Sequence, residues 1–231
     1  MEYRRFGTKY QNFRTRYHHR SSTKFGRQMN LALISDIIGI SSFAISGLLI
    51  AQHKKLDLLG ILILSALTAL GGGIIRDLLA DRTPFAFVNY YPSLTVIASI
   101  ILAIILKLHR QEDHQISNKF LFILFDSIGL CAFSITGTLV GIESGFNLFG
   151  VIIMGFVTAL GGGIIRDILL NQIPFILKKE FYGTIAILIS LCMFVLHHLN
   201  ALNSFTTLFI FSVFLTLRIV AYRQKWQLPK L

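Results

Sequence analysis

The sequence predicts an all-α, polytopic membrane protein: seven transmembrane helices, arranged as two inverted three-helix repeats plus a seventh helix. Three observations carry that prediction. Apolar runs near or above the roughly 20 residues that cross a bilayer recur along the chain. Charge is sparse: 14% of residues are charged and 54% hydrophobic, a balance unsuited to a water-soluble surface. Residues 36–85 also align with 126–175 at a constant offset of 90, without a gap and with 23 of the 50 positions identical.

Residues 1–28 form a basic tail, with Arg4, Arg5, Lys9, Arg14, Arg16, Arg20, Lys24 and Arg27 against Glu2. No short apolar core followed by a cleavage site comes after these charges, so the tail does not read as an ordinary cleaved signal peptide. Two readings stand side by side: a disordered or membrane-surface tail, or an adventitious extension with translation starting at Met29. Spans are expected at roughly 31–51, 56–80, 91–108, 120–141, 147–171, 181–198 and 202–221. They group into a first repeat over 29–115, a second over 116–200, and a seventh helix with its tail over 201–231.

Three spans separate equivalent points of the repeat. Three is odd, so the second copy enters the bilayer upside down relative to the first, the plan of many membrane transport proteins. The termini then lie on opposite sides. Outside the tail, the amino-terminal side carries only Arg82. The other side carries Lys54, Lys55, Lys107, Arg110, Lys119, Lys178, Lys179, Arg218, Arg223, Lys225 and Lys230. The excess of basic residues places that side, and the carboxyl terminus, in the cytoplasm. The formal charge of +11 is read as membrane-flanking Lys and Arg rather than a nucleic-acid surface.

The repeated block TALGGGIIRD, at Thr68–Asp77 and Thr158–Asp167, is the functional signal. Glycine weakens a helix, and ionisable residues within membrane depth are expensive. Gly71, Gly72 and Gly73, with Gly161, Gly162 and Gly163, are read as points where the second and fifth helices kink or break. Such backbone is tolerated at that depth only when protein or water satisfies it. Close packing through small residues is the plainer alternative. The hydroxyls of Thr68 and Thr158 either line a pore or bond to their own backbone one turn back.

Depth pairs the charges. Asp36 and Arg76 lie near one face, Asp126 and Arg166 near the other, with Asp77 and Asp167 completing each cluster. These six residues read as two ionic clusters that gate a central path or brace its helices. Phe43 and Phe133 are candidate gates, with core packing as the plainer reading. Gly47 and Gly137 suit close helix contacts, and Pro84 and Pro174 suit span ends. Trp226 and Tyr222 suit interface anchors. His197-His198 and the cysteines Cys131 and Cys192 lack metal-site spacing. GGGIIRD lacks the ending of a nucleotide-binding loop. No catalytic constellation, metal or cofactor is expected, and the chain does not read as an enzyme.

The doubled pair DIIGISSFAISG (36–47) with TALGGGIIRD, and DSIGLCAFSITG (126–137) with TALGGGIIRD, resembles the bacterial glycine-transporter-domain membrane proteins, relatives of the trimeric intracellular cation channels. The resemblance covers about 29–221. It implies a homotrimer in the bacterial inner membrane, with a separate pore in each subunit and helices kinked at both glycine triplets. It also implies passage of potassium and other monovalent cations. The lipid-binding basic motif of eukaryotic members is absent here, where Ile-Ile-Arg-Asp follows each triplet. Membrane lipid, small monovalent cations or a small amino acid are thus the expected partners. A secondary carrier for an amino acid such as glycine is the competing function, and a purely structural membrane protein is a third.

Overall fold

The computed structural model describes residues 22–106, 108, 115–178, 181–224 and 226. Its described elements are helical: α1 (Ser22–His53), α2 (Leu58–Leu79), α3 (Phe85–Val88), α4 (Tyr91–Ile105), α5 (Gln115–Glu143), α6 (Leu148–Leu169), α7 (Phe175–Lys178), α8 (Phe181–His198) and α9 (Ser204–Arg223). The backbone of residues 22–30 extends α1 before the expected start of the first span. The expectation for tail residues 1–21 lies outside the described residues.

Six of these helices contain segments long and apolar enough to cross a membrane: Leu31–His53, Leu58–Leu79, Phe120–Glu143, Leu148–Leu169, Phe181–His198 and Ser204–Arg223. The third expected span is shorter. Helix α4 has 15 residues and so rises about 22 Å at about 1.5 Å per residue, below the roughly 30 Å of a hydrocarbon core. Pro92 stands in its first turn, and the preceding chain is held as the short α3.

Local chemistry sets matching boundaries at the offset of 90. Asp57 and Asn147 each stand in extended backbone before a helix, and each side chain accepts the N–H of the residue three ahead, Gly60 at 2.7 Å and Gly150 at 2.8 Å. Each bond satisfies one of the amide donors that a helix start leaves orphaned. Asp81 and Asn171, just past the ends of α2 and α6, both take a positive φ of 54° and 53°, a conformation Asp and Asn tolerate better than most residues.

Helices α1, α2, α5 and α6 form the centre, with α4 laid on α1 and α2, and α8 on α5 and α6. The interior is sealed by apolar side chains such as Ile40, Phe43, Leu48, Leu130, Phe133 and Ile185, all without exposure. Large apolar residues face outward instead of polar ones: Leu58, Leu59, Leu94, Phe149, Leu208 and Phe209 are each more than 60% exposed. An apolar outer surface of this extent is stable against lipid, not water. Helix α9 breaks the even arrangement, packing on α5 and α8 and only slightly on α1.

Candidate permeation site

The repeated charges meet in the interior. Arg76 of α2 donates from Nη1 to Asp36 Oδ1 of α1 at 2.8 Å and from Nε to Asp77 Oδ1 at 2.9 Å. Arg166 of α6 makes the same two bonds, to Asp126 Oδ1 of α5 at 2.7 Å and to Asp167 Oδ1 at 2.9 Å. All six residues are buried, Arg166 at 1% exposure. The pairs that depth matched are therefore in contact. Each cluster joins two carboxylates to one guanidinium. A buried charge is tolerable only when paired and hydrogen-bonded, and the fork of Arg meets that demand by serving two carboxylates at once.

Further groups close around each cluster. In the first, the Phe85 ring of α3 lies 5.0 Å from Arg76 Cζ, and the Phe85 N–H donates to Asp77 Oδ2 at 2.8 Å. In the second, the Phe122 ring of α5 lies 4.9 Å from Arg166 Cζ, and Arg166 Nη1 also donates to Ser46 Oγ of α1 at 3.0 Å. Ser46 thus ties the first half to the cluster of the second. Sequence reasoning missed Phe85, Phe122, Ser46, Tyr182 and Arg218. Phe85 carried a signal, because Pro84-Phe85 recurs as Pro174-Phe175, but it was read only as the end of a span.

The glycine triplets correct one expectation. Helices α2 and α6 run through Gly71–Gly73 and Gly161–Gly163 without interruption, so neither is broken into half-helices. The physical reason is close approach. A Cβ on Gly72 would collide with the carbonyl oxygen of Thr158, and one on Gly162 with that of Thr68. Gly71 and Gly161 meet Ile165 and Ile75 in the same reciprocal way. Two helices can cross this tightly only where both lack side chains. Thr68 and Thr158 turn their hydroxyls to their own helices, donating to Leu64 O and Met154 O, both at 2.6 Å. They support the crossing and do not face a lumen in this state.

Phe43 and Phe133 have no exposure, and their rings meet edge-on with centroids 5.3 Å apart. Phe43 fills the space above Gly129, and Phe133 that above Gly39, so a pair 90 residues apart is again exchanged between halves. The two ionic clusters, the ring pair and the glycine crossing all lie buried on α1, α2, α5 and α6, as one column.

Beside the second cluster, the space lined by Leu160, Gly163, Ile164, Arg166, Asp167, Ile176 and Tyr182 is too narrow for a water molecule. Arg218, expected among the flanking basic residues, is instead 3% exposed inside the fold. Cys131 and Cys192 are free thiols.

Comparison with known proteins gives this column a context. Residues 33–107 and 123–198 match the model of one family, Gly_transporter, described as "Glycine transporter". The chain is 36% identical over 196 residues to the UPF0126 membrane protein YvgT of Bacillus subtilis (strain 168), covering 84% of this chain and 93% of that protein. It is 38% identical over 157 residues to the inner membrane protein YadS of Escherichia coli (strain K12), covering 66% of this chain and 72% of that one. Among solved structures, a TRIC cation channel shares 38% identity with a TM-score of 0.73, covering 86% of this chain and 96% of that one. The TRIC trimeric intracellular cation channel orthologue of Rhodobacter sphaeroides shares 28% identity with a TM-score of 0.76, covering 84% and 98%.

Proposed function

The chain belongs to the Gly_transporter family of multi-pass membrane proteins, and from that premise we propose that it is a cation channel conducting monovalent cations, potassium first, through a pore within each subunit of a homotrimer. The 15-residue α4 serves as the third of seven spans, the two three-helix units are inverted, and the carboxyl terminus faces the cytoplasm.

The observation that carries the cation reading is the set of oxygen atoms in the column. Two clusters, each with two carboxylates around one guanidinium, accompany a crossing whose nearest polar atoms are the carbonyl oxygens of Thr68 and Thr158. Carboxylates and carbonyls both favour cations, and rings of carbonyl oxygen replace the hydration shell of a monovalent ion. Conduction then proceeds when α2 and α6 part or bend at the glycine triplets. Separation frees those carbonyls to face the gap, and the absence of side chains keeps the gap open to an ion. Phe43 and Phe133 withdraw with the same movement, and the ionic clusters hold the ends of the helices in register. Conductance through the solved TRIC cation channels supports this reading.

A glycine carrier needs a site for the substrate carboxylate, for which the amino end of a broken helix is the usual means. The unbroken α2 and α6 offer no such end at the crossing, so the carrier reading has the weaker physical basis. Purified protein in planar bilayers is expected to give unitary potassium currents, and liposomes no saturable glycine uptake. Uptake with saturation and without currents would reverse the assignment. Gly72→Leu and Gly162→Leu place a side chain against a backbone carbonyl and should each abolish current while inserted protein remains detectable.

A further inference from the structure

Helix α9 lies outside the repeat, yet it drives Arg218 into the interior, 3% exposed. The guanidinium lies over the ring of Tyr182, with Cζ 4.9 Å from the centroid. Tyr182, 2% exposed at the start of α8, has Asp126 and Arg166 within electrostatic range. Its hydroxyl and Arg166 Nη2 each stand 3.7 Å from where a Cβ on Gly163 would be. One phenol therefore separates the arginine of the last helix from the arginine of the second cluster. At the first cluster the space above Gly73 is filled by the Phe85 ring, and the residue 90 positions before Tyr182 is Pro92. A tyrosine stands there as well: Tyr91, in the first turn of α4, is half-buried, lies 6.1 Å from the Phe85 ring and is within electrostatic range of Asp36, Arg76 and Asp77. What sets the second end apart among the described residues is Arg218, which the last helix lays on Tyr182.

We propose that Arg218 is a positioning residue of the second ionic cluster: by stacking on Tyr182 it clamps that ring beside Asp126, Arg166 and Asp167, and so lets the last helix hold this end shut independently of the first. Calling it the end of a passage rests on the conduction reading; the clamp itself does not. A desolvated guanidinium gains more from an aromatic face than an exposed one does, which makes a buried Arg effective as a clamp. Its fork and planar stacking also distinguish it from Lys.

The native thiols provide the test. Cys131 has no exposure, lies on α5 five residues beyond Asp126, and is within electrostatic range of Arg218. Cys192 lies on α8 and is only partly buried. The full chain in lipid nanodiscs is treated with N-ethylmaleimide and each site is followed by mass spectrometry. Labelling of a buried group tracks the population of the locally opened state, so Arg218→Leu should speed Cys131 labelling about tenfold given a desolvated cation–π contact. Cys192 should be unchanged. Tyr182→Leu should reproduce the effect, Arg218→Lys should restore part of the protection, and Phe85→Ala should leave Cys131 protected. An unchanged Cys131 rate in both Arg218→Leu and Tyr182→Leu would overturn the clamp. So would a parallel rise at Cys192, the mark of general loosening, or an equal rise in Phe85→Ala. Potassium flux from the same preparations separates the two ideas, because failure of the natural protein to conduct removes the passage reading and leaves the labelling result standing.

Discussion

The two ionic clusters share a sequence and are both buried, yet among the described residues only the second has the last helix behind it. Around Arg76 the closing ring comes from α3, a four-residue helix whose neighbours Phe87 and Val88 are 75% and 63% exposed. Around Arg166 the enclosing groups come from three long helices: Phe122 on α5, Ser46 on α1 and Tyr182 on α8, the last backed by Arg218 on α9. The same Arg-Asp pair is buried at both ends, while the elements that cover it differ. Identity of sequence fixes the first bonds of a site, while the elements that happen to cover it set how firmly those bonds are held.

The sharpest way to break this comparison is to remove the arginines. Arg166→Leu and Arg76→Leu each strand two buried carboxylates, and loss of one partner of a buried ion pair costs about 3–5 kcal/mol. The loss should be larger for Arg166, which is more deeply buried and has the extra Ser46 bond. Thermal unfolding in detergent measures both, and equal losses would erase the asymmetry. The crossing itself should behave symmetrically. Gly72→Ala and Gly162→Ala press a methyl against the opposite helix backbone, an overpacking of about 1–3 kcal/mol each, and unequal shifts in unfolding temperature would show that the exchange of contacts between halves is not reciprocal.

Smaller changes sharpen the picture. Ser46→Ala removes a hydrogen bond to the Arg166 guanidinium, at a cost of about 1.5–3 kcal/mol at most; Thr136, 90 positions on, bonds Asp36 of the first cluster in the matching place. The effect of Ser46→Ala should vanish in an Arg166→Leu background, which a double-mutant cycle reads directly. The smallest effects belong to the caps. Asp57→Ala and Asn147→Ala should each cost about 1 kcal/mol, by the same amount in both halves, because both caps are exposed and bond to the equivalent glycine amide.

Much of this was legible in the chain. Hydropathy gave the long helices, because a bilayer demands apolar length, and the offset of 90 gave the pairing of elements. The partners Asp36–Arg76 and Asp126–Arg166 followed from depth alone, since buried charges must find opposite charges at their own level. The glycine triplets were legible as exceptional and were read as kinks or breaks, with close packing as the alternative; the continuous helices exclude the breaks. Flexibility and close approach call for the same residue, and one strand of letters does not say whether another helix lies against it. Arg218 was misplaced for a related reason: an arginine near a span end reads as a flanking cation until a neighbouring helix offers it an aromatic face.

By itself, then, the sequence determined the membrane class, the duplicated unit and the charges that had to be matched, because hydrophobic length and charge neutralisation are local demands that any fold must meet. The tertiary structure alone decided that Gly72 meets the Thr158 carbonyl, that Phe43 and Phe133 exchange places over Gly129 and Gly39, and that the last helix reaches into one end and not the other. Those outcomes depend on which surfaces come within a few ångströms of one another, a property of helix packing that no single segment carries.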